Sequence, residues 1–238
     1  MKIDNECSLP WSKDVDTTET PIIGILSQTF DFDTSPYPEL ADKSSYIMGA
    51  YVRFMQSAGA RVVPIYYDES DEDTLEKMGK ISGVLMPGGG GDYVAKRQFI
   101  SDQARKMNDE GSFFPVWGTC LGFERLAIYT ASDQDNVLEK YGAHSISMEL
   151  EFTENPMSSN MYCSMPSDQI NSLETGNFTY NSHSYSVSPE KMKSDDSLRD
   201  FWTVTATTKD ADGRDFVASM EGRDYPFMAT QFHPEKVT

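Results

Sequence analysis

The stretch Phe114-Pro-Val-Trp-Gly-Thr-Cys-Leu-Gly-Phe-Glu124 is an apolar run that stops at Gly118 and presents one cysteine at the start of a helix-like segment. A strand-to-helix turn of this kind displays a nucleophile. Cys120 is expected at the edge of a sheet, with a helix N-terminus behind it that favours the thiolate, the reactive form. Gly118 and Gly122 are expected to let the backbone turn sharply and to leave room for a substrate carbonyl.

A thiolate needs a base, a group to orient that base, and donors for the developing oxyanion. Phe227-Met-Ala-Thr-Gln-Phe-His-Pro-Glu235 reads as a strand ending in His233, with Glu235 two residues on. Gly83-Val-Leu-Met-Pro-Gly-Gly-Gly-Gly-Asp92 reads as a short buried strand running into four glycines, whose N–H groups suit an oxyanion. Each group sits at the carboxyl end of a predicted strand, the edge along which an open α/β sheet assembles a site. Of the other two histidines, His183 lies in a polar Asn-Ser-His-Ser-Tyr loop, where function and a solvated loop stand about even, and His144 reads as structural or exposed. Lys96, Arg97 and Arg125 fall near these segments, and none is assigned to substrate.

The elements that must position these groups alternate through the first half. Strands are predicted over Pro21–Leu26, Val62–Ile65, Gly83–Met86 and Phe113–Trp117, with helices over Ser44–Ala58, Asp71–Met78 and Arg97–Asp109. Gly59 stops the first helix, and Pro64 marks an edge strand or a strand end. Repeated βαβ units give a doubly wound, mostly parallel sheet flanked by helices. In the second half, Ser145–Phe152 and Trp202–Glu221 are strand-like and read as antiparallel additions to that sheet, with a turn at Asp212-Gly213. Phe216–Glu221 and Tyr225–Phe232 form a hairpin that returns His233 to the site, and Lys191–Asp200 is a charged loop or short helix.

A chain of 238 residues without an internal linker reads as a polar leader over residues 1–20 followed by one domain over 21–238. The net charge of −18, from 20 basic and 38 acidic side chains, argues against nucleic acid or an anionic membrane as partner. No apolar run has the length of a membrane span, and no signal segment is visible in the leader. Cys7, Cys120 and Cys163 are too few and too scattered for a disulfide framework or a zinc site, so no metal or other cofactor is expected. Cys163 reads as a small buried apolar residue.

Taken together in this order, Pro21-Ile-Ile-Gly-Ile-Leu, Ser45-Tyr-Ile through Ala58-Gly-Ala, Met86-Pro-Gly-Gly-Gly, Pro115-Val-Trp-Gly-Thr-Cys-Leu-Gly-Phe-Glu, Asn181-Ser-His183, Ser219-Met-Glu-Gly and Gln231-Phe-His-Pro-Glu-Lys236 carry a resemblance. Over residues 21 to 236 the chain resembles the γ-glutamyl hydrolases, within the class I glutamine amidotransferase-like superfamily. The resemblance implies a cysteine peptidase that cleaves γ-linked glutamate from folylpoly-γ-glutamates. It implies Cys120 as nucleophile, His233 as general base and Glu235 as third catalytic residue, with His183 assisting. Oxyanion donors would come from Gly89 or Gly90 and from Leu121. Glu124, a substrate-site residue here, stands where amidotransferase relatives mostly carry Gln, which favours water over a partner synthetase as acceptor. The alternatives are a glutaminase domain supplying ammonia to a synthetase, or a non-catalytic scaffold of the same fold. The resemblance also implies a lysosomal, vacuolar or extracellular setting, a possible homodimer, and a final helix beyond the His-Pro-Glu-Lys motif, of which this chain is short. The cytoplasm stays open, as no signal segment is visible.

Overall fold

The computed structural model describes residues 20–90 and 94–236. Most of the leader, Cys7, and the end of the glycine run at Gly91 with Asp92 lie outside the described residues. In chain order the strands are β1 (Ile22–Leu26), β2 (Gln28–Thr29), β3 (Ser45–Tyr46), β4 (Arg61–Ile65), β5 (Gly83–Met86), β6 (Val116–Thr119), β7 (Glu139–Met148), β8 (Glu151–Phe152), β9 (Thr179–Ser186), β10 (Trp202–Lys209), β11 (Asp215–Gly222) and β12 (Phe227–Thr230). The helices are α1 (Gly49–Ser57), α2 (Asp71–Met78), α3 (Val94–Asp109), α4 (Leu121–Thr130), α5 (Ser167–Thr175), α6 (Pro189–Ser194) and α7 (Asp196–Phe201).

The main sheet has eight strands in the order β4-β1-β5-β6-β12-β11-β10-β8. From β4 to β12 all neighbours are parallel, and from β12 to β8 all are antiparallel. This is the doubly wound sheet with antiparallel additions that the βαβ pattern predicts. β1 and β5 lie between parallel neighbours and are covered on both faces, which is why Ile-Ile-Gly-Ile-Leu and Gly-Val-Leu-Met lack polar alternation. Successive β5 side chains serve opposite cores. Val84 and Met86 pack with Ile100 of α3, Phe123 and Leu126 of α4 and Phe227 of β12, whereas Leu85 packs with Ile25 and with Tyr51 of α1. Pro64 sits on the edge strand β4, where a missing N–H costs no ladder bond.

Four expectations need correction. The first helix begins at Gly49 and not at Ser44, because Ser45 and Tyr46 pair antiparallel with Thr29 and Gln28. β7 does not extend the main sheet; it pairs with β9 in a separate ribbon, packed on Phe216 of β11 through Tyr141, Ala143 and Met148. The Asn-Ser-His-Ser-Tyr segment is therefore strand, its inward positions Thr179, Asn181, His183 and Ser186 being polar and hence invisible to hydropathy alternation. Lys191–Asp200, read as a charged loop or short helix, is indeed helical, covering most of the short helices α6 and α7. Cys163 is buried, as expected, but it is disulfide-bonded, leaving Cys120 as the free cysteine among the described residues.

The turn from β6 into α4 also differs in its means. The positive φ, +52°, belongs to Cys120 itself and not to the flanking glycines. Gly122 is required for close approach: a Cβ there would lie 2.2 Å from the Met86 carbonyl oxygen, and one at Gly118 would lie 2.8 Å from the Gly122 carbonyl carbon. Gly122→Ala is therefore expected to lower stability by about 2–3 kcal/mol or to prevent folding. The control Gly142→Ala, whose new methyl would meet only Ala211 Cβ at 3.9 Å, should stay within about 0.5 kcal/mol in denaturant unfolding.

Candidate active site

The carboxyl ends of β5, β6 and β12 lie side by side, since β6 pairs in parallel with both of its neighbours. Three chain segments that leave these ends build the site. Cys120 follows β6 with φ +52° and ψ −108°, its N–H donating to the Thr230 carbonyl of β12 at 2.8 Å and its own carbonyl accepting from Glu124 N at 2.9 Å. A non-glycine residue in this region is strained by about 1–3 kcal/mol. The flanking strands and the Gly122 contact hold it there.

Beyond β12, Gln231 N donates to Ala218 O and His233 N to Tyr180 O, each at 2.8 Å, so the chain stays tied to β11 and β9 as it crosses the sheet edge. His233 Nδ1 lies 2.6 Å from Glu235 Oε1, and both side chains are buried. Glu235 is thus no exposed post-proline carboxylate. With Nδ1 engaged, Nε2 is the ring nitrogen available for proton transfer. Cys120 and His233 face each other across Gly88: a Cβ on Gly88 would fall 2.8 Å from Cys120 Cβ, 2.9 Å from His233 Cε1 and 2.9 Å from the Tyr51 hydroxyl. Only glycine fits there.

The loop after β5 is held from three sides. Arg97, buried on α3, donates Nη2 to the Pro87 carbonyl at 2.7 Å. Gly88 N donates to Tyr51 Oη at 2.7 Å, and Gly90 N donates to Asp31 Oδ2 at 2.9 Å. Gly89, with φ +111°, is the loop amide that no described residue engages. Of the two glycine donors suggested by the sequence, Gly90 is therefore occupied.

Burial decides the protonation states. It pushes the Cys120 thiol up to about 12, with Glu124 and Glu235 adding to the rise and the Leu121 N–H and Lys236 opposing it. The helix N-terminus does supply the Leu121 donor, but burial opposes the thiolate expected from the sequence. Glu124, on α4, is raised to about 7, chiefly by burial, while Gln231 Nε2, donating at 3.2 Å, and the Arg125 and Arg97 charges pull it down. Burial lowers His183 to about 4, keeping it neutral. Its Nδ1 lies 2.9 Å from Tyr185 O and its Nε2 3.1 Å from Asn181 Oδ1, and a neutral ring donates to only one of them.

Cys120, His233, Leu121, Glu124 and His183, with Gly88, Gly89 and Gly90, line one cavity of about 380 Å³; Glu235 stands behind His233. Lys236, its Nζ 4.9 Å from the Tyr180 ring centroid, is the one Lys or Arg among the described residues of that wall. His144 is exposed, as expected, yet it also lines the cavity, 2.9 Å from Ser184 Oγ. Lys96 is a structural cation, paired with Asp71 at 2.7 Å. Sequence reading missed Tyr51 and Asp31. Tyr51 sits on the apolar face of α1 like any core residue, yet its hydroxyl bridges the Gly88 amide and the His233–Glu235 pair, 3.5 Å from His233 Nδ1. Burial beside Glu235 and Cys120 keeps its phenol well above the ordinary value, hence neutral.

A cysteine facing a histidine–carboxylate pair, with backbone amides beside it, is an arrangement that can carry out acyl transfer. Comparison with known proteins gives the family. The family model for glutamine amidotransferase class-I matches residues 40–238. Gamma-glutamyl hydrolase B of Dictyostelium discoideum is 36% identical over 91% of this chain and 63% of its own length. The gamma-glutamyl hydrolase of Rattus norvegicus is 36% identical over 92% of this chain and 68% of its own. The chain thus spans about two thirds of the length of these relatives. Among solved structures, the glutaminase domain of Trypanosoma brucei CTPS with bound acivicin shares the fold, with TM-score 0.59 and 16% identity, over 90% of this chain and 86% of that one. Motif order, sheet topology and these relatives lead to one conclusion: the chain belongs to the gamma-glutamyl hydrolases, within the class-I glutamine amidotransferase family.

Proposed function

We propose that this protein is a cysteine peptidase that hydrolyses the γ-glutamyl bonds of folylpoly-γ-glutamates through a thioester on Cys120. The observation that carries the reading is the buried His233–Glu235 pair, 2.6 Å apart and facing Cys120 at the carboxyl edge of the sheet. Because the resting thiol is neutral, the nucleophile forms during the reaction. His233 Nε2 takes the Cys120 proton as sulfur attacks the γ-amide carbonyl. The amides of Leu121 and Gly89 receive the oxyanion. Glu235, accepting from Nδ1, stabilises the imidazolium, which then protonates the leaving amine. Water deprotonated by His233 opens the thioester and regenerates the thiol.

Glu124 suits an anionic substrate because it is protonated below about pH 7. A neutral acid beside Cys120 repels neither the forming thiolate nor a substrate carboxylate, and Lys236 supplies the attractive charge. His183 borders the same cavity as a neutral donor that fixes the wall facing Cys120. The reading extends to a lysosomal, vacuolar or extracellular setting, which a disulfide-bonded Cys163 suits, and to a homodimer. No described helix is long and apolar enough to cross a membrane.

Glutamate release from pteroyl-di-γ-glutamate between about pH 4.5 and 7.5 tests the reading. Turnover should vanish in Cys120→Ala and fall about a hundredfold or more in Glu235→Gln. Ammonia release from free glutamine, with no glutamate released from the pteroyl substrate, would instead indicate a glutaminase, and no Cys120-dependent turnover of either would indicate a scaffold.

A second expectation concerns stability. Glu124 is raised to about 7 in the fold from 4.5, so the folded state holds more protons in that window. Its contribution is complete below pH 4.5 and is lost as pH rises through 7. Thermal unfolding of Glu124→Gln should therefore lack this decline, gaining on the wild type at pH 7.5 relative to pH 4.5. Parallel pH profiles for the two proteins would contradict the assignment.

A further inference from the structure

The segment around β2 and β3 carries four aromatic side chains that belong to none of the hydrophobic cores. Phe30 and Tyr46 stack with centroids 5.4 Å apart and planes within 9°. Phe32 meets Tyr46 edge-on at 5.7 Å, and Tyr37 meets Phe32 at 6.3 Å. Phe32 and Tyr37 remain 46% and 48% exposed. An exposed cluster of rings on a chain of charge −18 is a candidate binding surface.

Two contacts fix this cluster to the catalytic machinery. Asp31, between Phe30 and Phe32, accepts from Gly90 N at 2.9 Å and from the Tyr46 hydroxyl at 3.3 Å. Its carboxylate also lies in the wall of the cavity that holds Cys120. Through Asp31 the cluster is therefore joined to the wall of the active-site cavity and tied to the loop that carries Gly89.

We propose that Phe30, Phe32, Tyr37 and Tyr46, with Asp31 at their edge, seat the aromatic head of the substrate, the conjugated end that precedes the first γ-linked glutamate. The inference rests on the hydrolase reading. Chemistry selects this occupant: flat rings take stacked or edge-on partners, and Asp31 offers an acceptor to ring N–H donors. A flexible polyanionic glutamate tail gains nothing from an aromatic shelf beside a carboxylate. The tail belongs with Lys236, the cation of the same cavity.

The test compares two substrates that share a di-γ-glutamyl unit, one capped by pteroyl and one by acetyl. Wild type should show a KM about tenfold lower for the pteroyl substrate. The double variant Phe32→Ala/Tyr37→Ala should lose most of that difference while keeping kcat/KM for the acetyl substrate within about twofold, which also shows that it folds. Phe32→Leu, which keeps apolar bulk without a ring face, should show an intermediate loss. An undiminished pteroyl preference in the double variant, or no preference in wild type, overturns the seat. If wild type cleaves neither substrate, the hydrolase reading fails separately. Pteroylmonoglutamate binding, followed by quenching of protein fluorescence, then decides the seat: weaker binding by the double variant supports it, and equal binding overturns it.

Discussion

The conformation of Cys120 is the constraint on which the rest of the site depends. A φ of +52° on a residue with a side chain is unfavourable, and it persists because both neighbours of β6 are hydrogen-bonded in register and Gly122 is pressed against the Met86 carbonyl. The strained turn lifts the sulfur out of the sheet edge and points α4 away behind it, so the Leu121 amide faces the thiol. β12 runs parallel beside β6, and its continuation brings His233 to the same edge. Strain, glycine contact and strand order act together.

Electrostatics follow from that burial. Burial favours the neutral forms of Cys120, Tyr51 and His183 and raises Glu124 to about 7. In the proposed mechanism, charge on Cys120 develops only when a carbonyl and its oxyanion donors are present. Tyr51 contributes by position, joining the Gly88 amide to the histidine–carboxylate pair. Donor loop and base are thus set by one hydroxyl.

Much of this was legible in the chain. Apolar runs ending in Gly118, in the glycines after Met86 and before His233 marked β5, β6 and β12, and the common edge followed from parallel pairing. What was not legible is equally physical. The ribbon carrying His183 places polar residues inward, so alternation of hydropathy could not reveal it. Tyr51 and Asp31 act through single hydrogen bonds to backbone amides more than thirty residues away, 2.7 and 2.9 Å long, which no local pattern encodes. The helix N-terminus that favours a Cys120 thiolate was legible in the sequence, whereas the depth of burial that opposes it was not.

The central claim is a covalent intermediate on one sulfur. Mixing the protein with pteroyl-di-γ-glutamate, quenching in acid during turnover and mapping peptides by mass spectrometry tests it directly. The account predicts a pteroylglutamyl thioester on the peptide that contains Cys120, absent from Cys120→Ala. Turnover with no adduct on that peptide, or with the acyl group on another residue, would contradict it.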